Sequence, residues 1–253
     1  MNYGIQITTL NGSLDFRAEM GGPELHAQLD PGFYSLTSLA VEVANAMQAV
    51  DAVNSYSCTV NRNILGGIQN RLAITTTGTY LDLLFLTGLN INTSVSSVIG
   101  FLPLDYTGST SYIGASTVGT ALIPEFIAYN YLSDLHQGKV FGAVNVSASG
   151  LKESVVFAIQ KFIDLEFKYE PSINLPAWVN FFTWSIQQRP FDFIPEITNT
   201  DVVYEVTLEK TVYESKGLGF QMKEMLPNFP NLYQTGALNF RIILQNQAFA
   251  QPS

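Results

Sequence analysis

The sequence predicts an α+β protein that is mainly β: an N-terminal strand-helix-strand-strand unit followed by a β-rich, sandwich-like domain with one aromatic helix. Three observations carry this reading. "FAIQKFIDLEFKY", "VVYEVTLEK" and "ALNFRIILQ" alternate apolar and polar residues, the period of a strand with one face buried. Leu36, Leu39, Val43, Met47 and Val50 instead recur at helical spacing. Between the two kinds of pattern lies "DYTGSTSYIGASTVG", Asp105 to Gly119, rich in Gly, Ser and Thr. It predicts a linker or mobile loop, with a boundary near residue 118 that gives domains 1–118 and 119–253.

In chain order, "IQITTL" and "SLDFRAE" alternate around Asn11-Gly12, a dipeptide suited to a tight turn, and predict a hairpin. Asp30-Pro31-Gly32 forms a turn, and Ser35 or Thr37 is placed to cap the following helix. "SYSCTVN" and "RLAIT" predict paired strands with Tyr56, Cys58 and Val60 on one face, opposite Leu72 and Ile74. "YLDLLFLTG" reads as a strand. "SVSSVIGF" reads as a short helix with Val95, Val98 and Ile99 inward, ended by Gly100 as a C-cap. In "ALNFRIILQ", Leu238, Phe240, Ile242 and Leu244 share one face, while Asn239, Arg241, Ile243 and Gln245 on the other carry a single charge. Monomeric edge strands are normally protected by charge or proline, so this strand is expected to accept a neighbour.

Among 253 residues only 13% are charged, against about 25% in ordinary soluble domains. A formal net charge of -9, with twelve scattered Lys and Arg, argues against a groove that tracks phosphates and so against nucleic acid as a partner. The single Cys58 cannot close an intramolecular disulfide. "MNYGIQITTLNG" lacks a basic n-region followed by an apolar stretch, which predicts no signal peptide. No window approaches the ~18 consecutive apolar residues of a membrane helix, so no membrane partner is expected. Without a secretory signal, Asn92-Thr93-Ser94 and Asn145-Val146-Ser147 read as chance sequons.

Motifs with a mechanism are few. The chain has no phosphate-binding G-x-x-x-x-G-K-[ST], no G-x-G-x-x-G and no G-x-S-x-G; "GLG" at Gly217 to Gly219 reads as a turn. His26 and His136 lie outside any H-x-x-x-H or C-x-x-C context, so no metal or cofactor site is expected. Cys58 reads as an inward-facing core residue, since a nucleophile would need a base beside it. The carboxylate pairs a glycosidase could use are Asp164 with Glu166, Asp192 with Glu196, and Glu205 with Glu209. Their even spacing is also what the solvent face of a strand requires, and no catalytic residue is assigned.

"NLPAWVNFFTWSIQQRPFDFIPE", Asn174 to Glu196, holds two tryptophans and four phenylalanines. Asn174 as a cap and Pro176 in the first turn start a helix whose Trp178, Phe181, Phe182 and Ser185 or Ile186 share a face. After Arg189-Pro190 the chain returns to a strand at Phe191 and Phe193. Core packing is the reading favoured over a stacking platform.

This arrangement, with "W..F..W" on a helix, "F.F.P" on a strand and a last strand "G.L.FRI.L", spans about Gly150 to Gln247 and resembles the C-terminal part of tailed-bacteriophage tail and baseplate proteins, near distal-tail and hub-surrounding ring proteins. "GFYSLTSLAVEVANAMQAV", "YSCTV", "NRLAIT" and "SSVIGF" are similar to a strand-helix-strand-strand-helix unit of virion structural proteins. The resemblance implies a non-enzymatic structural subunit, assembled in the bacterial cytoplasm and carried in the virion. It would form a ring of copies around the tail tube or hub and join other baseplate proteins. The alternative is a carbohydrate-binding adhesion module that contacts the host surface and leaves Trp178 or Trp184 exposed. A third reading, a hydrolase, needs two carboxylates converging in a cleft.

Overall fold

The computed structural model describes residues 2–63, 69–122, 137–146, 152–171, 174–195, 202–209, 221–223 and 235–245. The fold is of the expected class, α+β and mainly β with antiparallel sheets. The first elements are β1 (Asn2–Tyr3), β2 (Ile5–Ile7), β3 (Ser13–Arg17), β4 (Leu25–Gln28), β5 (Gly32–Tyr34), α1 (Leu36–Val50), β6 (Tyr56–Asn63), β7 (Gln69–Thr76) and β8 (Leu81–Leu83). A 3-10 turn at Ile91–Thr93 precedes β9 (Tyr106–Ser109), β10 (Ser111–Ile113) and β11 (Thr120–Ala121). Then come β12 (Gln137–Val146), β13 (Lys152–Pro171), α2 (Leu175–Ser185), β14 (Phe191–Phe193), β15 (Tyr204–Leu208), β16 (Gln221–Lys223) and β17 (Thr235–Leu244). Two compact units result. Met1–Ala121 and Pro190–Glu205 make the first, and Leu122–Arg189 and Val206–Ser253 the second.

In the first unit, Ser35 caps α1: its hydroxyl accepts from the Ser38 amide while the Ser38 hydroxyl accepts from the Ser35 amide, a reciprocal capping box. Leu36, Leu39, Ala40, Val43, Ala46 and Met47 are buried along one stripe, and α1 packs on β4 and β6. Val50 lies beyond that packing at 40% exposure, where Asp51 ends the helix. β6 and β7 pair as expected, with Cys58 opposite Ile74 and Val60 opposite Leu72, and β10 joins the far edge of β7.

The expected hairpin around Asn11-Gly12 does not form. β2 pairs with β5, whereas β3 pairs with β4 and β8. The Asn11 side chain accepts from the Thr8 amide at 2.6 Å and donates to the Gln6 carbonyl at 3.2 Å, closing a turn back onto the end of β2 while the chain passes into a second sheet. "SVSSVIGF" is a single turn rather than a helix. The Val95 amide is taken by the Ser13 carbonyl at 2.8 Å, and Gly100, at φ +80°, closes the turn against the Ser116 carbonyl. Val95 and Ile99 nevertheless point into the core, with Val98 packed against it. The strand read in "YLDLLFLTG" stops at Leu83, after which Leu84 bonds back to Asp15.

Asp105 to Gly119 is not a linker. It forms β9 and β10, which pair with β8 and β7, and Tyr106, Tyr112 and Val118 pack into the first unit's core. The small residues there occupy the exposed positions of a strand-turn-strand, where a sheet needs no apolar side chain. Composition alone does not separate such a segment from a loop.

In the second unit, β13 is long enough to pair with β12 along its first half and β17 along its second. β15 and β16 pair with the opposite edge of β17. The expected open edge on "ALNFRIILQ" is therefore absent, because β17 is an interior strand. One face carries the cross-strand rows Leu208–Ile242–Ile163, Val206–Leu244 and Phe240–Leu165, all buried.

Candidate functional site

The aromatic helix separates two functional readings. Asn174 stands at the N-cap position of α2 with Pro176 in the first turn. Trp178 is 1% exposed, stacked on Phe182 at 5.8 Å and edge-on to Phe181 and Phe240 at 5.9 Å each. Ser185 is also buried. α2 thus lies on the apolar face of β17, and the ring of Trp178 offers no free face. Trp184 is half-buried, with the Arg189 guanidinium 4.4 Å above its ring. Phe191 and Phe193 on β14 are buried in the first unit.

The carboxylates divide by what they touch. On the polar face of the second unit, Asp164 takes a forked pair of bonds from Arg241 at 2.6 and 3.0 Å, and Glu209 lies 3.6 Å from the same guanidinium. The Arg241 guanidinium also covers the ring of Phe162 at 3.9 Å. This is a cross-strand ion-pair network on half-exposed groups, with both acids committed to one cation. The side chain of Glu166, together with Glu196, His136 and Gly217 to Gly219, lies outside the described residues.

Asp192 and Glu205 belong to the first unit. Arg62 donates to Asp192 at 2.7 Å and Thr37 donates to the same oxygen at 3.1 Å. Burial pushes the Asp192 carboxyl above the usual range, opposed by the Arg62 charge and the Thr37 hydroxyl. Burial likewise raises Glu205, with the Ser38 hydroxyl opposing. These acids surround the N-terminus of α1, where carboxylates are electrostatically favoured. Arg62, which compensates Asp192, carries no sequence signal beyond being the one charge on its strand.

Cys58 is opposite Ile74 and packed against the core, and burial pushes its thiol up to about 12. It is a poor nucleophile in that state. His26 Nδ1 lies 2.7 Å from Oδ1 of Asp15, its cross-strand partner on β3, and 3.0 Å from the Asn90 side-chain nitrogen, so it ties β4 to β3 and to a neighbouring loop. Among the described residues no three His, Cys, Asp or Glu side chains gather as a metal site, and no helix is long and apolar enough to cross a membrane.

That loop, Leu86 to Asn90, is the feature the sequence reading missed. Every amide along it is bonded. Leu86 and Thr87 donate to Asp105 Oδ1 at 2.8 and 3.1 Å, and Gly88 donates to the Leu84 carbonyl at 3.2 Å. Leu89 donates to Glu24 at 2.7 Å and Asn90 to Asp15 at 2.6 Å. A Cβ on Gly88 would lie 2.5 Å from the Leu84 carbonyl oxygen and 2.6 Å from Asp15 Oδ2, so the turn closes only around glycine. The available signal was the leucine surplus in "LDLLFLTGL", where alternation fails after Leu83.

Neither the protein-family models nor the curated proteins compared with this sequence match it. The functional reading therefore rests on the residues described above.

Proposed function

We propose that this chain is a non-enzymatic structural subunit of a phage tail or baseplate, a ring-forming protein around the tail tube or hub that links it to neighbouring baseplate proteins. The observation that supports it over carbohydrate adhesion is the burial of Trp178 at 1% exposure within the α2–β17 core. A sugar platform needs an aromatic face open to the ligand. Trp184, the remaining tryptophan, has Arg189 over its ring.

The composition is compatible with assembly, since few charges and many aromatics suit a protomer that covers its surface with neighbours. Of the carboxylates that a hydrolase could pair, Asp164 and Glu209 are held by Arg241 and Asp192 by Arg62. Mass spectrometry with copy counting on purified particles tests the reading. Multiple copies per particle are expected, and absence from the particle, or a single copy, overturns it.

A further inference from the structure

Five large apolar side chains are exposed on two adjoining segments of the first unit: Leu86 at 53%, Leu89 at 85%, Ile91 at 41%, Leu102 at 46% and Leu104 at 40%. The segments are clipped together by Asp105, which accepts from the Leu86 and Thr87 amides and, at 2.6 Å, from the Thr87 hydroxyl. The Leu102 amide donates to the Tyr106 hydroxyl at 3.2 Å. Beneath them Phe85, Phe101 and Tyr106 pack together with ring centroids 5.2 to 6.0 Å apart. The leucines are thus presented on a fixed support. Isolated exposed leucines need no explanation, but a grouped set on a loop with all its amides bonded does. Such preorganisation lowers the entropy lost when a surface is buried by a partner.

The charge around the loop selects the occupant. Three carboxylates from separate segments, Asp15, Glu24 and Asp105, end at its amides, with Arg17 as the cation whose field reaches Asp105. Glu19, on the turn before Glu24, is exposed, Glu24 and Asp105 are half-buried, and Asp15 is buried. A second copy meeting this surface with its own loop would set carboxylates against carboxylates, in a chain of net charge -9.

We propose that the Leu86–Ile91 loop with Leu102 and Leu104 docks on the apolar face of a helix flanked by Lys or Arg on a different protein. This rests on the assembly reading above only in taking that protein to be another component of the particle.

The test uses the whole chain and two synthetic helical peptides with the same Leu/Phe face, one flanked by lysines and the other by glutamates. Fluorescence anisotropy should show the lysine peptide binding about tenfold or more tightly than the glutamate peptide, a preference that shrinks as opposite charges are screened between ~0.1 and ~1 M salt. The double variant Leu86→Ser, Leu89→Ser should lose about tenfold in affinity with an unchanged melting temperature, since both side chains leave solvent-exposed positions. Equal affinities, no binding of either peptide, or binding that the double variant leaves intact overturns the proposal. So does a dimer, seen by sedimentation equilibrium, that the double variant abolishes, because the occupant would then be a second copy. Particles that hold the wild-type chain and accept the variant equally well would refute the docking surface and leave the assembly reading standing. Absence of the wild-type chain from particles would refute the assembly reading and leave the peptide result intact.

Discussion

Arg62 donates to Asp192 across 2.7 Å and 130 residues of chain, fastening the returning segment Pro190–Glu205 within the first unit. The Asp192 side chain is 1% exposed and that of Arg62 14%. Removing the cation leaves a buried carboxylate that keeps the Thr37 hydrogen bond but loses its countercharge. Arg62→Met should therefore cost about 3–5 kcal/mol, and the double variant with Asp192→Asn should recover much of it. Urea unfolding of the three variants checks the cycle, and additive losses would show that the two groups are not coupled.

The pH dependence of that variant follows from the raised Asp192 carboxyl. A carboxyl raised in the folded state contributes stability that is fully present below its unfolded pKa, near 3.9, and lost as pH rises through the higher folded value. Without Arg62 the folded value rises further. Arg62→Met should thus be markedly less destabilising at about pH 4 than at about pH 7.5. A deficit independent of pH across that range would contradict the assignment.

Asp105 has the opposite sign. Its partial burial acts to raise the carboxyl, but the Thr87 hydroxyl and the Leu86 and Thr87 amides outweigh this and hold it below the usual range. Its contribution is present above the unfolded pKa and lost as pH falls through the lower folded one. Asp105→Ala should cost about 1 kcal/mol at neutral pH, modest because the site is partly solvated. The difference from wild type should shrink as pH falls through that lowered folded value. Amide hydrogen exchange at Leu86 and Thr87 should accelerate in the variant, and unchanged protection would contradict the clip.

Trp178→Ala should destabilise the second unit by about 3–5 kcal/mol, through lost contact with Phe181, Phe182 and Phe240 and the cavity left behind. Trp184→Ala should cost about 1–2 kcal/mol, since its ring is half-buried and its cation contact is near the surface. Equal losses in chemical denaturation would show that the two tryptophans are equally buried.

The Cys58 thiol, pushed up to about 12 by burial, should resist a disulfide reagent at pH 8 in the folded protein and react fully in denaturant. Rapid modification of the native chain would place the thiol at the surface.

The sequence by itself determined the mainly β class, the α1 stripe with Ser35 as one of its two candidate caps, the facing of Tyr56, Cys58 and Val60 toward Leu72 and Ile74, and the buried face of Phe240, Ile242 and Leu244. Each is set by side-chain period or by a capping residue within a few positions, so the pattern is local. Only the tertiary structure decided which strand pairs with which. β2 goes to β5 and not β3, β17 is interior, Asp105 to Gly119 forms strands, and Pro190–Glu205 returns to the first unit. These outcomes depend on partners many residues away, and alternation reports which face of a strand is buried without naming its neighbour. The Leu86–Asn90 loop is the same case. Its leucines carry the apolar character of a core strand, and only the distant carboxylates of Asp15, Glu24 and Asp105, by taking the loop amides, turn them toward solvent.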